Sequence, residues 1–170
     1  AMHPPSGHKA PHVHRLRAAV YPRVERGGEE LSDTITLTYT VSNEDFTRAG
    51  EASSDVKSRL KQMDVDPAVI RKVSIAMYEG EINMVIHAEG GTITVEISSD
   101  QITMTLADKG PGIADIDKAM QAGYSTAPDN VRSLGFGAGM GLPNMKKYTD
   151  DMQITTKLGV GTTVVMKVYL

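Results

Sequence analysis

A carboxylate and a carboxamide stand four residues apart in the segment 78–87, at Glu79 and Asn83. In a helix this spacing places both side chains on one face. That face is largely apolar, and burying either group without a partner costs about 1–3 kcal/mol. The pair therefore either meets a ligand or lies at the solvent edge of the helix, and spacing alone favours neither. Gly80 costs about 1 kcal/mol relative to alanine in a helix and indicates close packing or close ligand approach.

A second cluster, Asp108 to Ile113, follows a predicted strand and has the pattern D-x-G-x-G. Gly110 and Gly112 would let a backbone approach a ligand without interference from side chains. The aspartate can accept a hydrogen bond from an exocyclic amine. The same pattern also makes ordinary turns, so by itself it is weak evidence for a site.

The third cluster consists of four alternating glycines before a helix that begins near Pro143; they are Gly135, Gly137, Gly139 and Gly141. Free backbone N–H groups at a helix N-terminus suit a polyphosphate. The spacing completes neither a P-loop nor a dinucleotide-binding fingerprint. A flexible linker is the alternative, but linkers this rich in glycine are uncommon between regular elements of one small domain. We therefore favour a phosphate-binding segment.

The elements that must position these clusters follow from hydrophobic periodicity. Alternation predicts strands over 35–41, 93–97 and 102–106 and a closing hairpin over 154–168. Helical stripes predict a helix that starts at Ser42 or Asn43 and reaches Met63, and a second over 67–88. A short helix over 113–120, a loop over 121–141 and a helix over 143–148 complete the order. The economical arrangement is an α+β fold, with the helices on one face of a mostly antiparallel, mixed sheet.

Composition excludes several classes of function. The chain has 170 residues, a formal net charge of −3 and no cysteine. We expect one domain, no disulfides or thiolate sites, and no nucleic-acid partner. No apolar run approaches the ~20 residues of a membrane helix and no secretory signal is visible, so we expect a cytoplasmic protein without a membrane partner.

Residues 1–30 differ from the rest, with three prolines and four of the five histidines in the first fourteen positions. Such a histidine cluster could bind a metal. Composition favours a disordered leader or a cloning-derived segment instead. We therefore predict a domain over residues 31–170.

Taken together, the E-x-x-x-N helix, the D-x-G-x-G turn and the glycine-rich segment resemble the GHKL ATPase family of gyrase, heat-shock chaperones, histidine kinases and MutL. The step Gly161-Thr162-Thr163 resembles that family's last adenine-side motif. The resemblance implies the Bergerat ATP-binding fold, a two-layer α/β sandwich. Within that family the chain is most similar to stand-alone serine kinases of bacterial partner switching, namely anti-sigma factors and switch kinases. This similarity rests on the short length of the chain and on the segments 83–87, 115–119 and 123–126.

The resemblance implies a role for each site residue. Glu79 would be the general base, Asn83 would hold Mg²⁺, and Asp108 would accept from the adenine amino group of ATP, with Thr162 nearby. The resemblance also implies that Gly110 and Gly112 shape the adenine pocket, that Ile113 packs on the base, and that the phosphates are wrapped by Gly135, Gly137, Gly139 and Gly141.

The implied activity is phosphorylation of a serine in an STAS-domain anti-anti-sigma protein by a homodimeric kinase, with a sigma factor as a further partner. The alternative is a non-catalytic anti-sigma module or an ATP sensor, in which nucleotide only gates partner binding.

Overall fold

The computed structural model describes residues 15–23, 32–42, 44, 48–88, 90–121 and 141–170. Within them the chain forms six strands and four helices. The strands are Arg15–Arg23 (β1), Ser32–Val41 (β2), Gly91–Ile97 (β3), Gln101–Asp108 (β4), Asp151–Lys157 (β5) and Gly161–Tyr169 (β6). The helices are Glu51–Gln62 (α1), Pro67–His87 (α2), Ile116–Ala119 (α3) and Gly141–Lys147 (α4).

The strands form one sheet in the order β1-β2-β3-β4-β6-β5. Every described pair is antiparallel, so this part of the sheet is antiparallel rather than mixed. The register sets Gly91 beside Asp108, and Ala107 beside Thr163. The end of β4 therefore lies next to the start of β6.

Alternation along the central strands separates a buried face from a more exposed one. On β4, Ile102, Met104 and Leu106 are buried, as are Val164, Met166 and Val168 on β6. These side chains form one core with the apolar faces of α1 and α2. The predicted α+β architecture, with the helices against one face of an antiparallel sheet, is confirmed.

Gly80 lets α2 lie close to the sheet. A Cβ at this position would collide with Leu106 Cδ2, and Met145 Cε of α4 would be only 3.3 Å away. Of the two uses that the sequence left open for Gly80, the structure shows close packing.

Helix α1 begins at Glu51, with Gly50 as its N-cap, and not at Ser42 as the sequence predicted. Asn43, the other predicted start, lies outside the described residues. Gly50 has φ +99°, a left-handed conformation that glycine adopts readily. No side chain of α1 caps its own N-terminus. Glu81 reaches across from α2 instead, and its carboxylate accepts from the backbone N–H groups of Gly50 (2.9 Å), Ala52 (3.1 Å) and Ser53 (2.9 Å).

Replacing Glu81 by alanine is expected to destabilise the fold by about 2 kcal/mol or more. Glu81 is only 3% exposed, and its loss leaves the amide donors of Ala52 and Ser53 buried without this acceptor. Urea unfolding measures the change. Glu96→Ala removes an exposed glutamate and should stay within about 0.5 kcal/mol of the wild type. Equal unfolding midpoints for the Glu81 variant and the wild type would show that this cap contributes nothing.

Strand β1 lies within residues 1–30, where composition favoured a disordered leader or a cloning-derived segment. It pairs with β2, and Pro22 stands opposite Asp33. Because β1 is an edge strand, the missing N–H of a proline can be tolerated there. The prolines and histidines that dominated the composition lie mostly before residue 15, so the strand was missed. The division into residues 1–30 and 31–170 stays a prediction.

The longest described helix, α2, has 21 residues and carries Arg71, Lys72, Glu79 and Glu81. Across the part of the chain that the structure describes, no helix combines the length and the apolar character needed to cross a membrane.

Candidate functional site

The candidate site lies at the end of the sheet where β4 stops and β6 begins. Asp108 is the last residue of β4 and Thr162 the second of β6. The C-terminal end of α2 packs onto the loop that follows β4, since a Cβ on Gly110 would lie 3.0 Å from the His87 carbonyl oxygen. This close contact explains the glycine in structural terms.

Asp108 is held in place through one carboxylate oxygen. Its Oδ1 accepts from the backbone N–H of Gly110 (2.9 Å) and of Thr162 (3.1 Å). Within the described residues, Oδ2 accepts no hydrogen bond, and the side chain is only partly buried. Asp108 continues the alternation of Met104 and Leu106 and therefore points towards the helical layer. One oxygen is fixed by the backbone and the other is available to a donor on a ligand.

A pair of hydroxyl groups links the loop after Asp108 to the closing hairpin. Thr156 Oγ1 lies 2.9 Å from Thr162 Oγ1 and accepts from the Ile113 N–H at 2.9 Å. Gly112 has φ +80°, and a Cβ there would lie 2.7 Å from the Lys157 carbonyl oxygen. The loop therefore needs glycine for both its conformation and its close approach.

Sequence analysis missed Thr156. The feature that could have identified Thr156 is the register of the hairpin, in which it stands opposite Thr162. Alternation of apolar residues predicts that a segment is a strand, but only the register shows which residue of the neighbouring strand lies opposite Thr156.

Glu79 and Asn83 are both partly buried, and each contacts α4. Asn144 Nδ2 donates to Glu79 Oε1 at 3.3 Å. Asn83 Nδ2 lies 4.0 Å from Met145 Sδ, a weak contact. A Cβ on Gly141 would lie 2.8 Å from Asn83 Nδ2 and 2.9 Å from Oδ1. Gly141 is the first residue of α4.

The first two clusters meet on the same side of the sheet. His87 follows Asn83 by one turn of α2, and the Asp108 carboxylate acts electrostatically on the His87 ring. Asp108 and Asn83 therefore both border the last turns of α2. Of the third cluster, Gly141 adjoins Asn83, whereas Gly135, Gly137 and Gly139 lie outside the described residues.

His87 is held closer to neutrality by this environment. Burial lowers the pKa of its imidazole below 6.5, and the nearby Asp108 carboxylate partly offsets that change. A neutral ring at the end of α2 adds no full positive charge of its own beside Asp108 at neutral pH.

Acidification is expected to destabilise the protein through His87. Between the lowered pKa of the folded state and about 6.5, the unfolded chain binds more protons. The effect is absent above that window and grows as the pH falls through it. Urea unfolding from about pH 7.5 to about pH 5.5 should show a steeper loss for the wild type than for His87→Gln. Parallel stability curves for the two proteins would contradict this prediction.

A helix-borne carboxylate and carboxamide thus lie beside a strand-terminal aspartate in an α+β domain, the arrangement that the predicted nucleotide site requires. A family model for the histidine kinase-like ATPase domain matches residues 27–168. The chain belongs to this family, which confirms the GHKL resemblance, and it therefore carries an ATP-binding domain.

Curated relatives narrow the comparison further. The chain is 34% identical over 131 residues to an anti-sigma F factor of Clostridium beijerinckii, covering 74% of this chain and 85% of that one. It is 33% identical over 132 residues to the anti-sigma F factor of Clostridium acetobutylicum, with 74% and 84% covered. A third anti-sigma F factor, from Halalkalibacterium halodurans, is 29% identical over 134 residues, with 75% and 85% covered.

Proposed function

We propose that this chain is an ATP-dependent serine-protein kinase of a bacterial partner-switching pathway. Its substrate would be a serine of an STAS-domain protein, and it would act as an anti-sigma factor or switch kinase. The observation that carries the proposal is the placement of Asp108, Asn83 and Glu79 on one side of the sheet, around the end of α2. The anti-sigma F factors among its relatives support the pathway.

Asp108 would recognise adenine. Its Oδ1 is occupied by two backbone donors, so Oδ2 can accept from the exocyclic amino group. Thr162 lies beside it, Gly110 and Gly112 keep the loop narrow, and Ile113 would pack on the base. An acceptor fixed before binding costs little reorganisation when ATP arrives.

Asn83 fits a magnesium ligand. Its amide nitrogen points to Met145, while its Oδ1 accepts no hydrogen bond within the described part of the chain. A free amide oxygen is a hard donor, and Mg²⁺ usually takes one or two protein oxygens together with phosphates and water. The metal would neutralise phosphate charge, and the four glycines from Gly135 to Gly141 would bring backbone N–H groups to the phosphates.

Glu79 would accept the proton of the substrate serine. The serine Oγ forms a bond to the γ-phosphorus, the bond from that phosphorus to the β–γ bridging oxygen breaks, and ADP leaves. The proton passes to Glu79, whose Oε2 accepts no hydrogen bond in the described residues while Oε1 is held by Asn144. Phosphoryl transfer depends mainly on positioning and charge neutralisation, and this site offers groups for both.

Transfer of label tests the function directly. The full chain would be incubated with Mg²⁺ and γ-³²P-labelled ATP, together with an STAS-domain protein encoded in the same genome. We expect labelled phosphoserine on that protein. Nucleotide binding without label, together with ATP-dependent binding of a sigma factor, would overturn the kinase proposal in favour of a non-catalytic anti-sigma module.

The resemblance to stand-alone kinases also supports a homodimer in the cytoplasm. Light scattering of the purified chain at micromolar concentration measures the oligomeric state. Cell fractionation measures the location. A monomer at that concentration would contradict the proposed assembly.

A further inference from the structure

The short helix α4 contacts both side chains on which the proposed chemistry depends. Asn144 donates to Glu79, and Met145 adjoins Asn83. Gly141 adds a third contact, because its backbone lies so close to the Asn83 carboxamide that a Cβ would have no room. One element thus borders the base and the metal ligand together.

The position of α4 is fixed by packing. Met145 is 1% exposed and belongs to the main core. Its methyl group occupies space that Gly80 leaves free on α2, between Glu79 and Asn83 along the helix. Because this anchor is buried, the adjacent residue Asn144 is held at a defined distance from α2.

We propose that Asn144 is a positioning residue that orients the Glu79 carboxylate for proton transfer, an inference that rests on the proposed kinase function. Its amide N–H donates to Oε1, which would leave Oε2 to accept the proton of the incoming hydroxyl. An amide donor is neutral, so it directs the carboxylate without supplying an opposing full charge. The asparagine side chain is short and has few rotamers, so the position of its N–H group is well defined.

Two substitutions distinguish the hydrogen bond that Asn144 donates to Glu79 from the packing of the Asn144 side chain. Asn144→Asp keeps the shape but replaces the donor with an acceptor that repels Glu79. Asn144→Ala removes the side chain and favours helix formation. For both, we expect kcat for transfer to the STAS-domain protein to fall about 10- to 100-fold, with KM for ATP within about threefold of the wild type. Lys146→Ala, at an exposed position of the same helix, is the matched control and should leave both constants unchanged.

A double-mutant cycle with Glu79→Gln tests the mechanism. If Asn144 acts through Glu79, then adding Asn144→Ala to Glu79→Gln should change kcat by less than about twofold. A full additional loss, or an unchanged kcat in Asn144→Asp, would overturn the positioning role while leaving the kinase proposal intact. If Glu79→Gln itself keeps full activity, the proposed base fails first, and the inference about Asn144 fails with it.

Discussion

Replacing Glu79 by glutamine is expected to reduce phosphotransfer by about 10²- to 10⁴-fold, with ATP affinity nearly unchanged. Glutamine keeps an oxygen at the position of Oε1, so it can still accept from Asn144 Nδ2. It cannot take a proton from serine at neutral pH. The loss corresponds to about 3–5 kcal/mol of transition-state free energy and should appear in kcat rather than in nucleotide binding.

Single-turnover transfer of labelled phosphate, at saturating ATP and STAS-domain protein, measures this rate. Titration with a fluorescent ATP analogue checks binding in the same preparation. Glu96→Gln removes an exposed carboxylate on β3 and serves as the matched control. An undiminished transfer rate in the Glu79 variant would refute its assignment as the base.

Replacing Asp108 by asparagine is expected to weaken ATP binding at least about tenfold. Asparagine can retain an oxygen at Oδ1, so the backbone donors of Gly110 and Thr162 keep their acceptor. The amide nitrogen then takes the place of Oδ2 and presents a donor to the donor amino group of adenine. A charge-assisted hydrogen bond is lost and two donors face each other, which exceeds the 1.4 kcal/mol that a tenfold change requires.

The same variant should alter base preference. Inosine triphosphate carries an oxygen in place of the adenine amino group, so it should bind the Asp108→Asn protein better relative to ATP than it binds the wild type. Isothermal titration with both nucleotides gives the ratio. Asp117→Asn, at an exposed position of α3, is the control. An unchanged ratio of the two affinities would exclude Asp108 from contact with the base.

Local periodicity accounts for the parts of the fold that could be predicted. The alternation of Ile102, Met104 and Leu106 identified β4 and placed Asp108 at its end. The helical period placed Glu79 and Asn83 on one face of α2. Both patterns depend on residues within one element, where backbone geometry fixes the direction of each side chain.

Contacts between distant elements could not be predicted in this way. The start of α1 depends on Glu81, whose carboxylate accepts hydrogen bonds from backbone N–H groups 28 to 31 residues away in the sequence. Its sequence position marks it only as a glutamate on a helix. The partners Asn144 and Glu79 are 65 residues apart.

The sequence by itself therefore determined the class of fold and supplied the candidate residues of the proposed nucleotide site. Tertiary structure decided which oxygen of Asp108 the backbone holds, why Gly80 is a glycine, and that Asn144 of α4 contacts Glu79. The physical reason is that side-chain direction follows from the local backbone, whereas the identity of a hydrogen-bond partner depends on how whole elements pack.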